Sequence, residues 1–329
     1  MTARHLVIYD TDPGVDDAMA LYFALAHPDI ELLGITTTFG NVTVEQAAVN
    51  ALYLTQVAGR SMPVTKGMAA PWVKPLQAPP AYIHGDDGLG NLPHRVAATN
   101  RLDPRASARF IVDTVRARPG EVTLVAVGPL GNLALALRLE PELPTLVREV
   151  ILMGGAVNER GNVSPVAEAN VWNDPHAADL VFTAGWPLTM VGLDVTHRVM
   201  LPVSLSRQIA AHQQHVATDT LLHAVSFYAG FYGSRFAHLA HGGACFGHDL
   251  LAFVRLVRPD LFVTEPGIVR VATEGMAQGQ TMAHRGEAIT YAQPGWEDGR
   301  SLTQLCMQVA ASECVDLYEQ TLMSDWLVR

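Results

Sequence analysis

The sequence predicts an α/β fold with a single open, mostly parallel sheet flanked by helices, Rossmann-like in its winding. Three observations carry this. Short apolar or β-branched runs at Leu6–Tyr9, Ile30–Thr38, Val122–Val127, Val150–Met153 and Leu188–Leu193 alternate with helical stretches. That alternation implies right-handed crossovers and a parallel sheet. The runs are apolar with little alternation, the character of strands buried on both faces. Four of them, ending at Tyr9, Thr38, Val127 and Met153, lead into Asp-rich or Gly-rich turns. Those ends share one edge of a parallel sheet, so the turns converge on one crevice, where open α/β sheets bind ligands.

The elements follow in order. Leu6–Tyr9 is the first strand, and Ala18–Ala26 has the character of a helix. Ile30–Thr38 is β-branched and reads as the second strand. Thr43 and Gln46 have capping-box spacing for a helix running to about Ala58. Pro63–Lys66 is at most a short strand. Residues 68–95, with five prolines and Gly85, Gly88 and Gly90, read as a long loop that carries His84. Ala106–Arg118 is a helix stopped by Pro119-Gly120, and Leu133–Leu139 is another. Asp174 caps a helix with Pro175 at its first position. In the second half, Leu201–Gln213, Thr218–Leu239, Leu250–Val257 and the tail from about Ser312 read as helices, and Ile268–Thr273 as a strand.

Composition bounds the possibilities. The 329 residues are 49% hydrophobic and 16% charged, ordinary for a globular chain with a large core. A net charge of -10 disfavours nucleic acid and anionic membranes as partners. No apolar run reaches transmembrane length, and Met1–His5 is too short for a signal peptide. Cys245, Cys306 and Cys314 have neither metal-site spacing nor a full disulfide set, which suggests a reducing cytoplasm. No linker composition divides the halves, so residues 1–329 are expected to form one domain.

The chemistry concentrates at the first turn. Asp10, Asp12, Asp16 and Asp17 arrive within eight positions, broken by Pro13-Gly14, at the C-terminal end of the first strand. A helix dipole favours one or two acids in its first turn, but four so close repel unless a cation or protons intervene. An all-oxygen cluster suits a hard divalent ion, calcium or magnesium. Asp249 would share that cation if its loop folds onto the crevice; a helix cap ahead of Leu250 accounts for it equally well on local grounds. Glu168 and Asn170 are polar in an otherwise apolar or small stretch, Asn162 lies in a nearby turn, and Asn41 follows a glycine. Surface polarity and turn formation are their plain alternatives, whereas a nest of carboxylates and amides suits neighbouring sugar hydroxyls. His238 and His241 have i, i+3 spacing, but no Cys or Glu completes a zinc set.

With these residues in view, the chain resembles the inosine-uridine-preferring nucleoside hydrolases. The stretch Asp10-Thr-Asp12-Pro-Gly-Val-Asp16-Asp17-Ala is similar to that family's signature. Further matches are Gly40-Asn41-Val-Thr, Val127-Gly-Pro-Leu, Met153-Gly-Gly, Gly161-Asn162-Val, Glu168-Ala-Asn170, Asp174-Pro and His248-Asp249, with a weak one at Gly279-Gln280-Thr281. The resemblance implies a fold of the nucleoside hydrolase type, hydrolysis of the N-glycosidic bond of ribonucleosides to ribose and base, and a role in nucleoside catabolism and base salvage. It implies one calcium ion held by Asp12, Asp17, Asp249 and the Val127 carbonyl, with Asp12 activating the metal-bound water as general base. Asp16, Asn41, Asn170 and Asp249 would hold the 2′- and 3′-hydroxyls, and Asn162 and Glu168 the 5′-hydroxyl. Met153 would lie alongside the ribose, with His84 and His248 facing the base. Asn41 is counted with Asp12 and His248 among the catalytic residues, His248 as proton donor because an ordinary histidine titrates near neutrality. A homodimer or homotetramer is implied as well.

Two departures stand out: Val127 where the family often has Thr, and Gly131 in place of another frequent Thr. A backbone carbonyl ligand survives the first. The region from Phe227 to Cys245 matches nothing well, which leaves base preference open. There Tyr228, Phe231 and Tyr232 would stack on a base, although helical spacing fits core packing better. Two rival readings compete with this one. Asp10-Thr-Asp12 resembles the D-x-D nucleophile of haloacid-dehalogenase-type magnesium phosphatases, but Gly14 and two further acids do not suit a phosphate. A catalytically dead nucleoside- or ribose-binding protein is opposed by the joint presence of Asp12, Asp16, Asp17 and Asp249.

Overall fold

A computed structural model describes residues 4–236, 239, 243–285, 291–296 and 301–327. Among the described residues the strands are β1 (His5–Thr11), β2 (Ile30–Thr37), β3 (Val64–Lys66), β4 (Val122–Ala126), β5 (Glu149–Met153), β6 (Leu188–Val191), β7 (Met200–Pro202), β8 (Ala244–Phe246), β9 (Phe262–Val271), β10 (Thr281–His284) and β11 (Thr303–Val309). Nine form one sheet in the order β10-β9-β11-β6-β5-β4-β1-β2-β3, and β7 and β8 pair separately. From β11 to β3 every pairing is parallel; β9 runs antiparallel to both β11 and β10. The chain winds outward from β1 through β2 to β3, then returns and winds the other way through β4, β5 and β6. The reversal lies between β1 and β4, where such sheets open a crevice.

The helices are α1 (Val15–Ala26), α2 (Val44–Val57), α3 (Ala81–His84), α4 (Ser107–Ala117), α5 (Gly131–Leu139), α6 (Leu143–Leu146), α7 (Ala169–Asn173), α8 (Pro175–Phe182), α9 (Leu193–Thr196), α10 (Val203–Gln213), α11 (Val216–Arg235), α12 (Leu250–Val257) and α13 (Ala311–Leu322). They cover both faces. Along β1 the side chains alternate: Val7 and Tyr9 enter the core formed with α1, α2, α11, α12 and α13, and Ile8 enters the core formed with α4, α5 and α8. All three are fully buried, in keeping with the apolar run from Leu6 to Tyr9 between His5 and the acidic end of the strand.

Several boundaries differ from the sequence expectation. Helix α1 begins at Val15, which puts Asp16 and Asp17 in its first turn ahead of the apolar stretch from Ala18, and the Asp17 carboxylate reaches back to the Gly14 N–H at 2.9 Å and caps the turn. Thr43 caps α2, but the second half of the box is not made: Gln46 Nε2 donates to Asn50 Oδ1 instead. The long loop contains α3, which presents His84. Strand β7 occupies residues assigned to the start of a helix, and β9 begins six residues before the expected strand and stops at Val271. Strand β11 was not anticipated. Its Gln304 and Gln308 break the apolar pattern, and its place between β6 and β9 is fixed by long-range pairing. His238 and His241, considered for zinc, lie outside the described residues.

Candidate active site

The acids at the end of β1 and the start of α1 are buried, with Asp12 fully inaccessible. Asn41 clamps two of them: its backbone N–H donates to Asp12 Oδ2 (2.6 Å) and its Nδ2 donates to Asp17 Oδ2 (3.0 Å). Thr11 Oγ1 donates to Asp17 Oδ1 (2.5 Å). Asp12 is hemmed in by bare backbone: a Cβ on Gly40 would stand 2.0 Å from its Oδ2, and one on Gly128 2.7 Å from its Oδ1. Asp10 turns to the opposite face of the strand, where Thr36 Oγ1 (2.5 Å) and Asn132 Nδ2 (2.8 Å) donate to it.

From the far end of the chain, Asp249 at the start of α12 joins them. Oxygens of Asp16, Asp17 and Asp249 lie within 4.8 Å of one another. The set implied by resemblance has Asp12 in place of Asp16; here Asp12 is not one of the three. Burial, then the negative charge of Asp17, pushes the Asp12 and Asp16 carboxyls up, Asp16 to about 7. Burial, then Asp16 and Asp17, pushes Asp249 well above the usual carboxylate range. Asp12 Oδ1 and Asp16 Oδ1 are buried without a protein partner. Buried acids that repel one another and keep unpartnered oxygens fit a divalent cation with all-oxygen ligands.

A chain of hydrogen bonds leaves this cluster. Tyr228 donates its hydroxyl proton to Asp16 Oδ2 (3.0 Å), Tyr228 and Tyr232 share an O–H···O bond (3.2 Å), and Tyr232 meets His248 Nε2 (3.0 Å). His248 Nδ1 meets Thr196 Oγ1 at the end of α9 (2.8 Å). The two tyrosines are one helical turn apart on α11, the spacing that sequence reasoning assigned to packing. They are buried, but their hydroxyls point at the site. His84 Nδ1 accepts from the Val15 N–H (3.2 Å), its ring lies 5.1 Å from that of Tyr228, and burial drives its pKa down to about 3. Burial, with His197 and His84 nearby, likewise holds His248 well below the ordinary histidine range. The ordinary value assumed from sequence therefore does not apply.

The opposite wall is built by β4, β5 and α7. Asn170 Nδ2 donates to the Val127 carbonyl (2.8 Å) and the Met153 carbonyl (3.2 Å), tying two strand ends together. Glu168 caps α7: Oε1 accepts from Asn170 N–H, and Oε2 from Gly155 and Val171 N–H. Asn162 Oδ1 accepts from the Ala169 N–H (2.9 Å). Both walls enclose a cavity of about 1130 Å³. Asp16, Asn41, His84, Val127, Met153, Asn162, Glu168, Asn170, His248 and Asp249 line it, as do Tyr228 and Tyr232; Asp12 and Asp17 lie behind its surface. Thr196 escaped sequence reasoning, since nothing local marks a threonine in a single turn of helix as a histidine partner.

Comparison with known proteins converges on one group. The family model described as inosine-uridine preferring nucleoside hydrolase matches residues 7–316. A probable uridine nucleosidase 1 of Oryza sativa subsp. japonica is 38% identical over 288 residues, covering 86% of each chain. A solved plant nucleoside hydrolase superposes with a TM-score of 0.91 at 32% identity, covering 97% of this chain and 99% of that one. A purine-preferring ribonucleoside hydrolase from Gardnerella vaginalis gives 0.89 at 33% identity, covering 98% and 100%.

Proposed function

Because the chain belongs to the inosine-uridine preferring nucleoside hydrolase family, and so hydrolyses ribonucleosides to ribose and free base, we propose the following division of labour among its residues. The observation that carries it is the buried acid cluster, with its unpartnered oxygens, joined by two tyrosines to His248 in one cavity.

Asp12, Asp17, Asp249 and the Val127 carbonyl would hold a calcium ion, with Asp16 alongside. The support is the oxygen-only donor set and the mutual repulsion of the acids. When bound, the ion supplies positive charge that lowers the pKa of a water molecule. Asp12 would take the proton from the attacking water. Its Oδ2 is fixed by the Asn41 N–H, while Oδ1 has no partner in the protein. Asp16, Asn41, Asn170 and Asp249 hold the 2′- and 3′-hydroxyls, Asn162 and Glu168 the 5′ end, and Met153 the ribose face. As the base departs, the sugar acquires oxocarbenium character, and the surrounding carboxylates stabilise that charge.

His84 and His248 face the base. The leaving base takes the Tyr228 hydroxyl proton, Tyr232 and then His248 Nε2 pass theirs along to replace it, and the His248 ring regains a proton from solvent in the cavity. This reading takes residues 1–329 as one domain, supported by a sheet whose strands come from both halves. It also takes the assembly to be a homodimer or homotetramer, as the resemblance implies. The cytoplasm is the proposed compartment, in keeping with three buried free cysteines.

Metal analysis of the purified protein, with a panel of purine and pyrimidine ribonucleosides assayed by reducing-sugar release, tests this. One calcium per chain and activity lost to a chelator are expected. Absence of any stoichiometric divalent metal, together with chelator-insensitive turnover, overturns the metal part.

A further inference from the structure

The hydrogen-bond chain has a direction, and it is set at its carboxylate end. With the Asp16 carboxylate ionised, its Oδ2 accepts, so the one hydroxyl proton of Tyr228 is committed to it (3.0 Å). The proton between the tyrosine oxygens (3.2 Å) must then belong to Tyr232. With that proton spent, the 3.0 Å contact between Tyr232 and His248 is a hydrogen bond only if Nε2 carries the hydrogen. The opposite arrangement has Tyr232 donating to Nε2. It would leave two tyrosine oxygens facing each other across 3.2 Å with no proton between them, inside a buried site where an unpaired polar group is costly. A neutral imidazole with hydrogen on Nε2 has a bare Nδ1, and the donor 2.8 Å from it is the Thr196 hydroxyl.

Thr196 is a fixed point from which to do this. It is fully buried at the end of α9. The same turn is anchored by Asp194, whose carboxylate accepts the N–H groups of Val157, Asn158 and Glu159 at 2.8, 2.7 and 3.2 Å. The Leu193 N–H donates to the Gly155 carbonyl (2.9 Å). The helical turn is thus held without help from His248, and its hydroxyl is presented to the ring from a rigid support.

We propose that Thr196 is a positioning residue that fixes the His248 tautomer with its hydrogen on Nε2, and thereby sets the polarity of the Tyr232–Tyr228 chain. The proposal rests on the reading that this chain serves the leaving base. A histidine that adopts the wrong tautomer keeps its place but cannot play its part.

The tautomer is read directly by nitrogen NMR of histidine-labelled protein, with the His248 ring assigned by its disappearance in His248→Ala. In the wild type and in Thr196→Ser, Nε2 is expected to carry the hydrogen. In Thr196→Val, which keeps the shape and removes the hydroxyl, that preference is lost. Turnover of inosine and uridine by Thr196→Val should fall roughly 10- to 1,000-fold, with KM changed little, and Thr196→Ser should restore it. The loss on p-nitrophenyl riboside, whose leaving group needs little proton donation, should be much smaller. A wild-type ring protonated on Nδ1 overturns the proposal before any variant is made, and so does Thr196→Val retaining both tautomer and turnover. If His248→Ala slows both substrate types equally while Thr196 still governs the tautomer, the reading of the chain as a proton path fails, and the assignment of Thr196 to the tautomer stands.

Discussion

The hydroxyl of Tyr228 on α11 donates to Asp16 on α1 at 3.0 Å, across 212 residues of sequence. One bond therefore joins the residues placed to deliver a proton to those placed to hold ion and ribose.

Tyr228→Phe cuts that bond and leaves the ring beside that of His84. Inosine and uridine turnover should drop by roughly 100-fold, the low end of proton-transfer contributions. The fold should be unchanged by circular dichroism. Turnover within a factor of two of wild type would show that the base receives its proton by another route.

Asp12→Asn keeps the shape between Gly40 and Gly128 and removes the proton acceptor. It should lose at least ~100-fold in turnover. Thermal unfolding of the ion-free variant should come no earlier than that of ion-free wild type, because one like charge leaves a crowded cluster. Normal turnover would place the general base elsewhere.

His248→Ala should slow inosine or uridine by roughly 100- to 10,000-fold and p-nitrophenyl riboside far less. A nucleobase is a poor leaving group without a proton, whereas p-nitrophenoxide leaves readily. If His248 served only to orient Asp249, ion and ribose binding would suffer and the two losses would match.

The calcium-induced rise in Tm should be larger near pH 8 than near pH 5.5. Without the ion Asp16 titrates at about 7, above its ordinary 3.8, so between those values the folded chain retains a proton that the unfolded chain has lost. The ion-free protein accordingly gains stability from this group as pH falls through 7, while the ion must displace that proton to bind. His84, at about 3, acts in the opposite sense below its ordinary 6.5, but it does so with and without the ion and drops out of the difference. A calcium increment that is flat across this range would contradict the assignment of the cluster to the ion.

The parallel sheet and its crevice were legible because buried strands write their apolar runs plainly and because strand ends on one edge carry Asp or Gly. The acid turn was legible because four carboxylates in eight positions strain any local explanation. The site's second half was harder. Tyr228 and Tyr232 carry the spacing of core residues and are indeed buried; only their distances to Asp16 and His248 show the other use of their hydroxyls. Thr196 and Asn132 act through partners more than 50 residues away, and no local period encodes such a pairing. Strand β11 is polar enough to pass for a loop until β6 and β9 close on it.

The placement of Asp249 and Tyr228 far downstream of the acid turn has a consequence for synthesis. The turn leaves the ribosome well before either of them, with its carboxylates in water and nothing to hold a cation in common. Tyr228 follows Asp16 by 212 residues and Asp249 by more, so the loop that must close to bring them back is long. A partly made chain thus exposes an acidic turn without the affinity for calcium that the finished site would have. Capture of the ion then coincides with that long-range closure, and it would reward that step.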